Sequence, residues 1–417
     1  MDSSPLFTND AIVLGILIVV LAAIFYTSDL KTKGWKKFYT YLPPLLVCYF
    51  VPALLNWPLG IISGEESQLY FVASRYLLPA SLILLCLSID FKGILNLGHK
   101  AIIMFFAATL GIILGGPIAL ILVNTIAPDL ISTNPEDVWR GLSTVAGSWI
   151  GGGANQTAMK EIFEVQDNLF GTMIVVDVVV ANIWMGFLLY GANISDRLDN
   201  WLGADNSAIE DLKQRVSDYR ASIEKMPTLT TTFLLMAVAF GGVAISHLGK
   251  DIMTPFMETF RESLMAARLD SLMSSFFWLI VFATTIGLSL SFTRARKLEG
   301  VGASRWGSVF IYVLVATIGM KMNLGEVFEN LGLFAIGIVW MAVHVLILLI
   351  VSKIIKAPFF FVAVGSQANV GGAASAPIVA SAFSPSLAPV GVLMAVMGYA
   401  LGTYGALICA QMMQYVS

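Results

Sequence analysis

The sequence predicts an all-α polytopic membrane protein, and three observations predict it. The 417 residues are 57% hydrophobic and only 12% charged, with mean hydropathy +0.82. Soluble domains carry about 25% charged residues. The apolar residues fall into runs of about 20, each long enough for a hydrocarbon core of about 30 Å. Two of those runs carry Gly, Asn and Gln clusters in their interior. The composition excludes an ordinary soluble enzyme and a disordered chain. Net charge is −3 and the pI about 5.7, so no basic field calls for nucleic acid.

About twelve apolar segments follow one another. They lie near 11–27, 38–61, 70–89, 100–126, 138–164, 168–192, 228–248, 272–292, 306–321, 331–352, 358–383 and 387–413. The N-terminus MDSSPLFTND lacks the basic region of a cleavable signal, so Ala11–Thr27 is expected to stay as the first span. The polar stretch Asn193–Met226 holds Asp196, Arg197, Asp199, Glu210, Asp211, Lys213, Arg215, Arg220, Glu224 and Lys225. It divides the chain into a first repeat (1–192), a linker (193–226) and a second repeat (227–417).

Loop charge sets orientation. Lys31, Lys33, Lys36 and Lys37 place the loop after the first span in the cytoplasm and the N-terminus outside. Lys92 and Lys100 agree, and the acidic loop Ser63–Ser67 is then outside. Arg294, Arg296, Lys297, Arg305, Lys353 and Lys356 mark cytoplasmic loops in the second half. The two halves conflict in parity. Either 228–248 re-enters without crossing, or Asp251–Asp270 hides another passage, giving 11 to 13 spans.

The broken segment occurs twice. The first reads GSWIGGGANQTA, with Ser148, Gly151, Gly152, Gly153, Asn155, Gln156 and Thr157. The second reads GSQANVGGAASAP, with Ser366, Gln367, Asn369, Gly371, Gly372 and Ser375. Glycine costs a helix about 1 kcal/mol relative to alanine. Unwound backbone at bilayer depth is tolerated only where it is buried in protein or lines a cavity. Such breaks, in matching positions of two halves, point to the midplane site of a secondary transporter. Close packing through small residues explains the Gly and Ala, but not the amides beside them.

Asp177 stands alone in GTMIVVDVVVANIWMGF. A carboxylate at the bilayer centre costs at least about 2.5–3.5 kcal/mol, so it should face the bundle interior and pair. A bound Na⁺, an exchangeable proton or a donor from the breaks would serve. Asn182 need not share its face. Arg75, Arg140, Lys160, Glu161 and Lys321 sit near span ends and read as interfacial charges, as do Asp90 and Lys92. His344 reads as a satisfied core residue or a proton carrier, and Thr284 and Thr285 as bonded back to their own helix. The three scattered cysteines and three histidines make no metal or disulfide pattern, and no catalytic residues stand out.

Together NDAIVLGILIVVLAAIFYTS, SGEESQLYFVASRYLLPASLILLCLSIDFK, GSWIGGGANQTAMKEIF, VVDVVVANIWM, TTIGLSLSFT and GSQANVGGAASAPIVASAF resemble the YjcL-like uncharacterised bacterial membrane protein family. That family is similar to the cation:proton antiporters and the bile acid, glutamate and 2-hydroxycarboxylate sodium symporters. The resemblance implies two inverted repeats, a panel and a core domain, two crossed broken helices, a bacterial inner-membrane location and a homodimer. It places Asp177 where antiporter relatives carry an ion-coupling carboxylate. The residue before it is Val176, not Asn, which favours one coupling site for sodium over a paired proton mechanism.

The expectation is therefore a sodium-coupled transporter of a small carboxylate-bearing solute, an amino acid, dipeptide or organic acid, with no cofactor beyond Na⁺. The nearest alternative is a sodium/proton antiporter. An intramembrane enzyme would need a nucleophile–base pair or metal dyad, and a structural membrane protein would leave the paired breaks unexplained.

Overall fold

The computed structural model describes residues 5–42, 44–63, 67–89, 94–95, 97–131, 134–204, 226–266, 269–321, 331–384 and 387–417. Glu65 and Glu66 of the acidic loop, Asp90, Lys92 and the linker charges from Glu210 to Lys225 lie outside them. The described residues are helical, with no strand beyond one isolated bridge.

The first half holds α1 (Asp10–Asp29), α2 (Lys33–Tyr41), α3 (Pro44–Asn56), α4 (Leu69–Leu87) and α5 (His99–Ile126). It continues with α6 (Pro135–Gly151), α7 (Gly153–Ile162) and α8 (Asp167–Asn193), and then the short α9 (Ser195–Leu202). The second half holds α10 (Leu229–Glu258), α11 (Arg261–Ala266), α12 (Ser275–Ser291), α13 (Ala303–Gly319) and α14 (Leu331–Ile355). It closes with α15 (Phe359–Val370), α16 (Gly372–Phe383) and α17 (Ala388–Val416). Local signals set these ends. Asn9 accepts the Ala11 N–H at 2.9 Å and starts α1, and Thr228 and Thr231 form a capping box that starts α10.

Seven described helices are long and apolar enough to cross a membrane: α1, α4, α5, α8, α10, α14 and α17. An eighth span arises if α12 is joined to the turn Arg294–Val301, bent from it by 95°. Shorter apolar helices lie at Val47–Asn56, Ala303–Gly319 and Phe359–Val370. The chain is an integral membrane protein.

Two of the predicted spans do not continue straight. The rings of Trp139 in α6 and Phe163 just after α7 lie 5.3 Å apart; one straight helix would separate them by about 36 Å. Arg140 also donates to the Phe163 carbonyl at 3.1 Å. In the second half Phe360 and Phe383 lie 5.3 Å apart, where a straight helix would give about 34 Å. Each run therefore doubles back. Hairpin 1 is α6–α7, turning at Gly152; hairpin 2 is α15–α16, turning at Gly371 and Gly372. The backbone is left-handed at Gly152 (φ 77°) and Gly372 (φ 59°), a conformation that glycine adopts without the strain of a side chain.

The region 228–270 also departs from expectation. It is one long helix, α10, that runs through Asp251 to Glu258. The following α11 has six residues, about 9 Å, too short for a second passage.

The helix contacts sort into two sets. α1, α3, α4, α10, α12 and α13 pack mainly with one another. So do α5, both hairpins, α8, α14 and α17. Within the first set the contacts come in matching pairs: α1–α3 with α10–α12, α3–α13 with α12–α4, and α1–α13 with α10–α4.

Candidate functional site

Both hairpins rest on α8. In hairpin 1, the Asp177 carboxylate of α8 takes one hydrogen bond from each arm. Trp149 Nε1 of α6 donates at 2.7 Å and Gln156 Nε2 of α7 donates at 2.9 Å. The Ser148 hydroxyl also faces it. Asp177 is buried, and these hydrogen-bond partners are neutral. A charge-assisted bond contributes about 1.5–3 kcal/mol, so two of them offset much of the cost of placing the carboxylate there.

In hairpin 2, Ser366 of α15 is held between two helices. Trp184 Nε1 of α8 donates to its hydroxyl at 2.8 Å, and His344 Nε2 of α14 lies 2.8 Å from it. His344 Nδ1 sits 3.0 Å from the Ala108 carbonyl, which can only accept. For a neutral imidazole, Nδ1 therefore carries the proton and Nε2 accepts the Ser366 O–H. Asp177 and Trp184 are seven residues apart, about 10 Å along one face of α8.

The two asparagines of the breaks make the same set of bonds. Asn155 Nδ2 donates to the Gly151 and Tyr399 carbonyls, each at 3.0 Å, and its Oδ1 accepts from Thr403 at 2.6 Å. Asn369 Nδ2 donates to the Gly365 carbonyl at 3.0 Å and the Phe105 carbonyl at 3.3 Å, and its Oδ1 accepts from Thr109 at 2.8 Å. In both cases the carbonyl and the threonine lie one turn apart on a neighbouring long helix. Each amide clamps its hairpin to that helix.

The turns themselves are less enclosed. Gly152, Gly153, Gly371 and Gly372 are half-buried, and a Cβ at Gly152, Gly153 or Gly372 would meet open space. Gln367 Nε2 reaches across hairpin 2 to Ser375 Oγ at 2.7 Å, while its Oε1 is buried without a partner. Thr157 returns its hydroxyl to the Gly153 carbonyl at 2.9 Å.

A family model described as "Protein of unknown function (DUF819)" matches residues 15–416. The chain belongs to this DUF819 family. It is also similar to the uncharacterized membrane protein YjcL of Bacillus subtilis (strain 168), 23% identical over 346 residues, covering 81% of this chain and 82% of that protein.

In this DUF819 protein the structure brings Ser148, Gln156 and Asp177 together on hairpin 1, and Gln367 and Ser375 on hairpin 2. Asn155, Asn369 and Ser366 are spent on holding the hairpins. Asn182 bonds its own helix at the Val178 carbonyl, 2.8 Å away. Thr285 donates to Val281 as expected, at 2.6 Å. Thr284 instead bonds Thr403 across to α17 at 3.0 Å. Arg75, Lys160, Glu161 and Lys321, expected as interfacial charges near span ends, are joined in one cluster. Sequence reasoning missed Trp149, Trp184, Thr109 and Thr403. Trp184 was findable from its seven-residue spacing to Asp177. The threonines were not, because their partners lie more than 240 residues away.

Among the described residues no group of three or more His, Cys, Asp or Glu could hold a metal ion. Trp149 and Gln156 each turn an N–H donor toward the Asp177 carboxylate, one to each oxygen.

Proposed function

We propose that the chain is a secondary active transporter in which the hairpin set is the core and the other set the panel. The observation that carries this reading is the pair of hairpins meeting α8 with glycine turns that face open space. Irregular backbone at bilayer depth is expected where it lines a cavity.

A hairpin 1 that does not cross would account for the parity conflict of the loop charges. If neither hairpin crosses, ten helices do: α1, α3, α4, α5, α8, α10, α12, α13, α14 and α17. Every basic loop then falls on the cytoplasmic side of a bacterial inner membrane, with the N-terminus outside. Hairpin 1 enters from outside and hairpin 2 from inside, as two inverted repeats require. Side-chain contacts support the same sorting. Lys100 at the start of α5 bonds the Lys356 carbonyl at 3.1 Å, and Asp199 of α9 accepts from the Phe359 N–H at 2.7 Å. All four residues belong to the cytoplasmic end in this scheme.

Asp177 is the proposed coupling site, with sodium as the ion. The solute site is proposed at the turns, where Gln367 Oε1 offers an unused acceptor and the first amides of α7 and α16 offer donors to a carboxylate. The test is thermal stabilisation of purified protein by Na⁺ against K⁺, on wild type and Asp177→Asn, followed by uptake in proteoliposomes. A Na⁺-specific shift lost in the variant, with Na⁺-driven uptake of an amino acid, dipeptide or organic acid, is expected. No shift with either ion would remove the sodium site.

A sodium/proton antiporter is the second reading. The observation in its favour is that Asn155 and Asn369 are consumed by packing, which leaves fewer polar groups for a solute. Sodium-driven pH changes in proteoliposomes without added solute, abolished by Asp177→Asn, would select it.

A further inference from the structure

Five charged residues gather at one end of the molecule, and their ion pairs join the two helix sets. Glu161, at the end of α7, accepts from Arg75 of α4 at 2.6 Å. Asp167, at the start of α8, pairs with Lys321 just past α13 at 2.9 Å. Lys160 of α7 pairs with Asp167 at 2.8 Å and donates to the Tyr70 hydroxyl of α4 at 3.0 Å. Each of these contacts except Lys160–Asp167 crosses between the sets.

The cluster is built rather than incidental. The side chains of Lys160 and Glu161 are 6% and 8% exposed, too little for ordinary headgroup anchors. Tyr70 stands between two cations, with Lys160 5.0 Å and Lys321 4.5 Å from its ring centre. Arg75 lies in a π-helical turn of α4 and packs over Phe276 of α12 at 4.4 Å, so its head is fixed from the first set. Arg75, Lys321 and Asp167 stay partly exposed, so it is at Lys160 and Glu161 that separating the contacts leaves uncompensated buried charge.

We propose that Arg75–Glu161, Lys321–Asp167 and Tyr70–Lys160 form a latch that closes the outer entrance to hairpin 1, and that this latch must part before the turn at Gly152 and Gly153 meets the outside. This rests on the core-and-panel reading above. The latch lies where both arms of hairpin 1 emerge, since Arg140 bonds the Phe163 carbonyl there. Any displacement of the hairpin set along the first set would strain all three contacts together. With all three made, that side is closed.

The test uses full-length protein carrying Gly153→Cys as a reporter. Its backbone has ordinary φ and open space around it, while Cys48, Cys86 and Cys409 are buried. Membrane-impermeant maleimide is applied to right-side-out and inside-out vesicles. Arg75→Gln with Lys321→Gln removes both crossing ion pairs and leaves Lys160 beside Glu161 and Asp167. Outer-face labelling is expected to rise about tenfold, the population change that about 1.4 kcal/mol produces. Labelling within about twofold of the parent, in the double variant and in the milder Lys321→Gln alone, would overturn the latch. Uptake in proteoliposomes is read separately, on the same charge variants with Gly153 kept. Absent uptake with the labelling change keeps the latch and rejects the solute, whereas normal uptake with unchanged labelling rejects the latch alone.

Discussion

Asn155 in hairpin 1 and Asn369 in hairpin 2 make the same three hydrogen bonds, yet what stands beside them differs. Next to Asn155 is Gln156, whose amide donates to a buried carboxylate. Two residues before Asn369 is Gln367, whose carbonyl has no partner. Hairpin 1 is thus organised around a negative charge, and hairpin 2 around neutral groups, with His344 and Ser366 as its inner support. Structure is supplied by the asparagines in both, and chemistry by the residues that differ. A type of residue is a poor guide to its role here. Four neighbouring amides of similar polarity divide into two clamps, one carboxylate partner and one open acceptor.

Overpacking hairpin 1 should give the largest effect. A Cβ at Gly402 of α17 would lie 2.5 Å from both the Asn155 amide nitrogen and the Gly151 Cα, with backbone that cannot yield. Gly402→Ala is expected to cost about 3 kcal/mol and to lower the thermal midpoint in detergent sharply. Gly365→Ala within α15 of hairpin 2, where the nearest atom is the Met104 carbonyl carbon of α5 at 3.2 Å, should cost less than half as much. Equal effects would mean that α15 sits on α5 as tightly as hairpin 1 sits on α17.

The clamps come next. Asn155→Ala and Asn369→Ala each remove three hydrogen bonds, and each should lose about 1–3 kcal/mol of stability. The two losses should agree closely in a denaturation series. If only Asn155→Ala also abolishes the sodium response in protein that remains folded, Asn155 belongs to the ion site and the symmetry of the clamps is broken.

Ser366→Ala sharpens the contrast between structure and chemistry. It removes the bridge between Trp184 and His344 and should cost about 1–2 kcal/mol, while leaving the Na⁺-specific shift at Asp177 in place. Loss of that shift would join the two hairpins into one site. The smallest expected effect is Gln367→Leu. Removing a buried, unsatisfied carbonyl should change stability by less than about 1 kcal/mol, in either direction. Solute-dependent stabilisation should nonetheless disappear. A large loss of stability would show that the Ser375 contact, not a ligand, is the reason for Gln367.

The membrane class, the location of both breaks and the isolation of Asp177 were legible in the sequence, because each follows from local composition. Twenty apolar residues can span hydrocarbon wherever they sit in a chain, three successive glycines weaken any helix, and a lone carboxylate among valines demands a partner whatever that partner is. What the breaks do was not legible. Glycine permits a bend but does not fix its angle. The reversal is decided by what each arm meets: α17 and α8 for both hairpins, and α5 for the first arm of hairpin 2. Those contacts join residues up to 264 positions apart, and no local pattern encodes them. For the same reason, composition alone could not sort the amides into clamps and open groups. Nor could it reveal that charges read as separate interfacial groups form one partly buried cluster. Hydrogen-bond satisfaction and charge pairing depend on which helices become neighbours, and only tertiary packing determines that.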